Sequence, residues 1–222
     1  MEYCGERLNT TDRSSHRWSR LRAWLSPADP LRSADLIFVL AGRVHRKEYA
    51  LELFRQGLAP RLLFSVGRFE IRRFSKMPLP VALDLLKIAQ EVSPPQRHYF
   101  VSFDGQGVHA DHVLPGRFGT LTEIAALGRW LDANPQVRSV LIISSADHLR
   151  RVRMCCRSRL KAATKLAYLA APVNLPELSV PETVGVSEGQ NLLEERVDPP
   201  SLREDLQELF KVMVYWVLLK FR

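Results

Sequence analysis

Cysteine is scarce in this 222-residue chain, with three in all: Cys4 and the adjacent pair Cys155-Cys156. Neighbours in sequence rarely bridge, and an odd count makes no disulfide framework, which points to a reducing compartment. Zinc-binding spacing is missing as well. No window reaches 18 apolar residues, so no transmembrane span is expected. The N-terminus carries Glu2, Glu6, Asp12 and several arginines instead of an apolar h-region, so no signal peptide is read there and the expected location is the cytoplasm. A Walker loop, GxGxxG and GxSxG are all absent. Their absence argues against P-loop nucleotide hydrolysis and an α/β-hydrolase triad.

What the chain does have is an ordinary globular composition, 46% hydrophobic and 25% charged, with enough length for one sizeable core. Thirty-two basic against 24 acidic residues leave a net charge of +8, and Arg far outnumbers Lys. Such a surface suits phosphate, nucleic acid or an anionic membrane face, or is simply a soluble Arg-rich exterior. No nucleic-acid recognition module surrounds the arginine run from Arg150 to Arg159, so no specific nucleic-acid partner is expected.

Apolar runs bounded by small residues predict about five strands: Asp35–Ala41, Arg61–Ser65, His98–Phe103, Val140–Ile143 and Thr164–Ala170. Helical spacing falls between them, over Arg46–Gln56 (stopped by Gly57), Leu79–Glu91, Thr120–Leu131 and Asp147–Lys161, with a last helix at Leu202–Phe221. Arg68–Lys76 reads as a loop, and a longer Gly- and His-containing loop runs on to Phe118. Alternating strands and helices predict a doubly wound α/β domain with a mainly parallel sheet over residues 34–172. A polar basic extension (1–33) precedes it, and a C-terminal segment (173–222) ends in a helix packed on the same domain. Within the extension, Arg17, Leu21, Trp24 and Leu25 suit one short amphipathic helix before Pro27 and Pro30.

The pattern centres on Val140-Leu-Ile-Ile-Ser-Ser-Ala-Asp-His-Leu-Arg-Arg151. Here a buried strand opens through a small-residue turn onto a helix, with Asp147 as its expected N-cap. Parallel sheets bind ligands at such carboxyl ends, where unpaired N–H groups and the helix dipole favour an anion. His148 and Arg151 share one face of that helix, as an acid/base group and an anion clamp. The alternative is a solvated surface helix.

Arg46 either meets the same ligand or pairs with a carboxylate such as Asp104. Glu123 either caps Thr120 in a Thr-x-x-Glu box or points into the cleft. Asp104, at the end of the third strand, has the weaker structural explanation. Every strand ends in Gly, Ser or Asp, so the expectation is one cleft. Gly42, Ser65, Gly67, Ser144 and Ser145 would let backbone approach a ligand, with Arg43, Arg46, Thr120 and Arg151 around it. His148, Asp104 and Glu123 would be the catalytic set. His109, Asp111 and His112 are a weak metal motif, better read as a solvated loop.

In order and spacing these pieces resemble the YdcF/SanA/ElyC-like family, a bacterial domain of poorly defined function. The resemblance runs from Asp35 to about Pro172. It rests on Asp35 with its strand and Gly42, Arg46 eleven residues before Gly57, the strand end at Ser65, Asp104, Phe118-Gly-Thr-Leu-Thr-Glu123 and Ser144-Ser-Ala-Asp-His148-Leu-Arg-Arg151. It implies a Rossmann-like three-layer sandwich with polar residues gathered at the strand ends, and a role linked to envelope biogenesis. One branch of the family is associated with S-adenosylmethionine. The chain departs from the pattern at Val66, at Gly119 and at the single-glycine loop Gly42-Arg43, where added side chains narrow a phosphate or adenosyl pocket.

The function expected is binding of an anionic, phosphate- or nucleotide-containing small molecule, with hydrolysis or group transfer at phosphorus as a fitting reaction. The alternative is a non-enzymatic interaction protein. In that case the basic N-terminal helix and the apolar C-terminal helix dock on a partner or membrane surface, or the latter forms a homodimer interface.

Overall fold

The computed structural model describes residues 20–21, 23–114, 116, 119–172 and 202–220. The segment 174–200, Phe118, Phe221 and the N-terminal stretch through Arg17 lie outside the described residues, and residues 23–25 are helical.

The fold is mixed α/β, with one six-stranded, mostly parallel sheet. Its strands are β1 (Leu36–Val39), β2 (Leu62–Gly67), β3 (His98–Asp104), β4 (Gly107–His112), β5 (Ser139–Ser144) and β6 (Lys165–Ala170), in the spatial order β4-β3-β2-β1-β5-β6. β2, β1, β5 and β6 run parallel, while β3 and β4 form an antiparallel hairpin on the β2 edge. The helices are α1 (Val44–Arg55), α2 (Ile71–Phe74), α3 (Leu85–Gln90), α4 (Gly119–Ala133), α5 (Leu149–Arg159) and α6 (Leu202–Lys220), with a 3₁₀ turn at Ala146–His148.

The period of two along each strand divides the core into halves. Leu36, Phe38 and Leu40, with Val140 and Ile142, meet α4 and α5 through Ile124, Leu127, Leu149 and Val152. Ile37 and Val39, with Leu141 and Ile143, meet α1, α2 and α3 through Leu51, Ile71, Phe74 and Leu85. β1 and the Val140–Ile143 stretch of β5 are therefore apolar at every position, as the sequence suggested. At the opposite ends of these strands Asp35 ties β1 to β5. Its carboxylate accepts from the Arg138 and Ser139 N–H groups and the Ser139 hydroxyl, all at 2.9 Å, and these bonds hold its pKa below the usual carboxylate value.

Three sequence expectations change. The expected loop after Asp104 contains β4, joined to β3 through Gly105-Gln106, with the Asp104 carboxylate accepting from the Gln106 N–H at 2.9 Å. Asp-Gly is a hairpin signal, and the alternation that follows it is weak. The helix expected over Leu79–Glu91 is confined to Leu85–Gln90, capped by Asp84, whose carboxylate accepts from the Lys87 N–H. Ahead of it lie two prolines that oppose helix. The expected loop Arg68–Lys76 holds the short helix α2, whose Ile71 and Phe74 are buried. The last helix does pack on the same domain: α6 lies on α5 and on the Ala146–His148 turn, beside the carboxyl ends of the parallel strands.

Candidate functional site at the carboxyl edge of the sheet

The buried polar and charged residues among those described are His45, Arg46, Lys47, Ser65, Glu70, His98, Thr120, Glu123, Ser144, Ser145, His148, Asp205 and Glu208. All belong to one edge of the sheet. They stand at the carboxyl ends of β2 and β5, the start of the antiparallel β3, or the helices and turns that cap those ends. Burying a polar group costs free energy unless it is bonded, so such a concentration marks either a locked structural network or a site.

On the α1 side, Gly42 takes φ +129°, and a Cβ there would meet Arg46 Nη1 at 3.1 Å. Arg46 donates from Nε to Ser145 Oγ at 2.7 Å and from Nη1 to the Ala41 carbonyl at 3.1 Å. Burial pulls its pKa down, against the pull of Asp147, Glu123 and Glu70. Lys47 is fully buried and paired with Glu70. Burial lowers the ammonium pKa, and Glu70 opposes that shift. The other Glu70 oxygen accepts the N–H groups of Gly42, at 2.7 Å, and Gly67, at 3.2 Å. The two glycine turns expected to offer their amides to a ligand therefore already hold an internal carboxylate. That filling also argues against an adenosyl or phosphate cradle at these turns, so S-adenosylmethionine does not fit there.

In the middle, Ser65 Oγ lies 2.7 Å from His98 Nε2, and Glu123 Oε1 lies 3.7 Å from the same nitrogen. Burial, with Lys47 and His112 nearby, pulls the His98 imidazole down to about 4. Glu123 is pushed up to about 7 by burial and by Glu70; Lys47, Arg46 and a hydrogen bond from the Ala41 backbone offset part of that. A carboxyl poised near neutrality is matched to proton transfer.

On the far side, His148 has both ring nitrogens engaged, Nδ1 with Ser144 Oγ at 2.9 Å and Nε2 with Thr120 Oγ1 at 3.2 Å. Burial first, then Arg151, Arg46 and Lys211, keeps its pKa well below the ordinary value, so the ring is neutral. Helix α6 closes this side. Glu208 Oε1 receives Arg151 Nη2 at 3.2 Å and Lys211 Nζ at 2.7 Å. Arg43 Nη2 lies 3.5 Å from Glu204 Oε1, and Tyr215 hydrogen-bonds Thr120 and Arg151. Arg151 Nε and Glu208 Oε2 are buried without hydrogen-bond partners among the described residues.

Gly42, Arg43, Arg46, Ser65, Gly67, Thr120, Glu123, Ser144, Ser145, His148 and Arg151 thus come to one edge, as the sequence suggested. Asp104 does not. Because β3 runs antiparallel, its end lies opposite, so Asp104 neither pairs with Arg46 nor orients His148. It lines a pocket of about 450 Å³ with Arg61, Ser102, Trp130 and Gln136, beyond the amino ends of the parallel strands. That pocket has few charged groups and no helix N-terminus aimed into it, so the opposite edge is the better candidate site.

Two local readings are also corrected. Thr120 and Glu123 form no capping box, because the hydroxyl turns to His148 and the carboxylate to Ala41 and His98. Asp147 does not cap α5. It sits inside the 3₁₀ turn, where its charge faces Arg46.

No sequence motif marks Glu70, Lys47 or His98. The available signal is a Glu within a basic stretch and a Lys beside Arg46. His109, Asp111 and His112 lie on the edge strand β4, with His112 Nε2 2.9 Å from the Gln96 carbonyl. Among the described residues no group of three or more His, Cys, Asp or Glu is arranged to hold a metal ion. Cys155 and Cys156 are buried, and burial pushes both thiols up to about 12, so neither is a nucleophile at neutral pH. No protein-family model, curated protein or solved structure matches the chain.

Proposed function

We propose that this chain is a YdcF/SanA/ElyC-like protein with a Rossmann-like three-layer arrangement, binding a phosphate-containing small anion at the carboxyl edge of its sheet. The observation that carries this reading is the gathering of the buried polar side chains at that edge, with Arg46 among them and the partly exposed Arg43 and Arg151 beside them. Two of those arginines already face carboxylates, Glu204 and Glu208. An internal anion therefore stands where the ligand's anion would, and α6 is the wall the ligand displaces or slides beneath. Arg151, with Nε still unbonded among the described residues, has donor capacity for a phosphate oxygen.

The proton-handling role moves from His148 to Glu123. His148 is neutral and bonded on both sides, so it positions the Ser144 and Thr120 hydroxyls. Glu123 has the pKa suited to exchanging a proton near neutral pH.

A thermal-shift screen of the purified chain against inorganic phosphate, sugar phosphates, nucleotides and S-adenosylmethionine tests the reading. A phosphate compound at about a hundred times its Kd should stabilise the fold by about 2.7 kcal/mol. That shift should shrink in Arg151→Ala and Ser145→Ala. Equal shifts in wild type and both variants would place the ligand elsewhere, and no shift across the panel would end the proposal.

A further inference from the structure

We propose that the outward face of α6 docks flat on an anionic membrane surface. The helix has 19 residues, a length of about 28 Å. Its outward stripe is Leu206, Phe210, Met213 and Val217, spaced four, three and four residues apart, with Trp216 at its border. Phe210, Met213 and Trp216 are 63%, 54% and 55% exposed, far more than isolated surface apolar residues on one helix ordinarily are.

The charges are sorted to match. Arg203 and Lys220 are exposed, while Lys211 is held by Glu208. By contrast Asp205 and Glu208 are buried, and Glu204 turns to Arg43. The outward face therefore combines apolar side chains with Arg203 and Lys220, and the half-exposed carboxylate of Glu204 is paired with Arg43. Lys220 Nζ stands 4.9 Å from the Trp216 ring, a pair suited to the depth where headgroups meet acyl chains. Among the described residues no helix is long and apolar enough to cross a membrane, so the geometry is that of a helix lying in the interface. The net charge of +8 adds long-range attraction to an anionic leaflet.

A second copy of the chain is a poorer occupant. Two-fold antiparallel pairing through this stripe sets Arg203 of one helix against Lys220 of the other, bringing like charges together at both ends. An anionic lipid surface satisfies every one of those cations.

The test is vesicle flotation of the full chain with phosphatidylcholine alone and with phosphatidylcholine containing roughly one-third phosphatidylglycerol. Binding is expected only to the anionic vesicles, falling as salt rises, with a blue shift of tryptophan emission that Trp216→Phe reduces. Phe210→Glu with Met213→Glu should weaken binding by at least about tenfold, as should Arg203→Glu with Lys220→Glu. Both pairs change exposed positions, so an unchanged circular dichroism spectrum and Tm will confirm that they fold. Binding that survives both pairs, or equal binding to neutral vesicles, overturns the proposal. So does a concentration-dependent dimer abolished by Phe210→Glu without any vesicle binding. A phosphate ligand's thermal shift should persist in Phe210→Glu/Met213→Glu, which separates this surface from the cleft.

Discussion

Replacing Glu123 by Gln tests the electrostatics of the buried edge directly. In the folded chain the carboxyl titrates at about 7 instead of its ordinary 4.5, chiefly because it is buried and because Glu70 is near. A raised carboxyl pKa means that the folded state holds the proton more tightly than the unfolded chain does. Its contribution to stability is therefore fully present below about 4.5 and is lost as pH rises through about 7. The size follows from the two values: keeping this group ionised in the fold costs about 3 kcal/mol.

Gln copies the protonated form in shape and can still accept the hydrogen bond from Ala41. Urea unfolding of wild type and Glu123→Gln should then coincide near pH 4.5 and diverge as pH rises, the variant becoming the more stable by up to about 3 kcal/mol at pH 8.5. His98 and His148 have lowered pKa values, so their contributions run the other way and are lost as pH falls below about 6.5. Both terms are common to the two proteins and cancel in the difference. Parallel stability curves across this range would refute the reasoning, since they would mean that Lys47 and Arg46 fully compensate the buried charge.

Lys47→Met leaves Glu70 buried without its cation and should cost about 3–5 kcal/mol in chemical denaturation. Adding Glu70→Gln should return part of that loss, and strict additivity would deny the coupling. Ile142→Ala, in the central strand β5 with no exposed surface, should cost about 2–5 kcal/mol in the same assay. Phe69→Ala, 82% exposed, should stay within about 0.5 kcal/mol. If α6 competes for the anion site, Glu208→Gln should raise affinity for inorganic phosphate about tenfold by calorimetry, and an unchanged affinity would show that Glu208 only fastens the helix.

The parts legible in sequence were those set by neighbours along the chain. Leu36–Ala41 and Val140–Ile143 are apolar at every position, so they had to be strands covered on both faces, and the small residues after them had to be turns. The same logic placed Gly42, Arg46, Ser144, Ser145, His148 and Arg151 on one edge, because parallel strands joined by helices share a carboxyl end. Local pattern went wrong where partners are remote. Thr120-x-x-Glu123 has the spacing of a capping box, but the hydroxyl and carboxylate found better partners in His148, His98 and the Ala41 backbone, which come from other elements. Leu79–Glu91 has helical spacing, but helix forms only beyond Pro78 and Pro80.

By itself, then, the sequence determined which segments are buried strands, where they end, and that several basic and hydroxyl side chains cluster at those ends. Only the tertiary structure decided the direction of β3, which exchanges Asp104 for His98 at the site. It also decided the pairing of Lys47 with Glu70 across 23 residues and the laying of α6 against the same edge. The physical reason is common to all three. Strand direction, buried ion pairs and helix docking depend on free energies of desolvation and contact between segments distant in the chain, and no spacing of neighbouring residues encodes those.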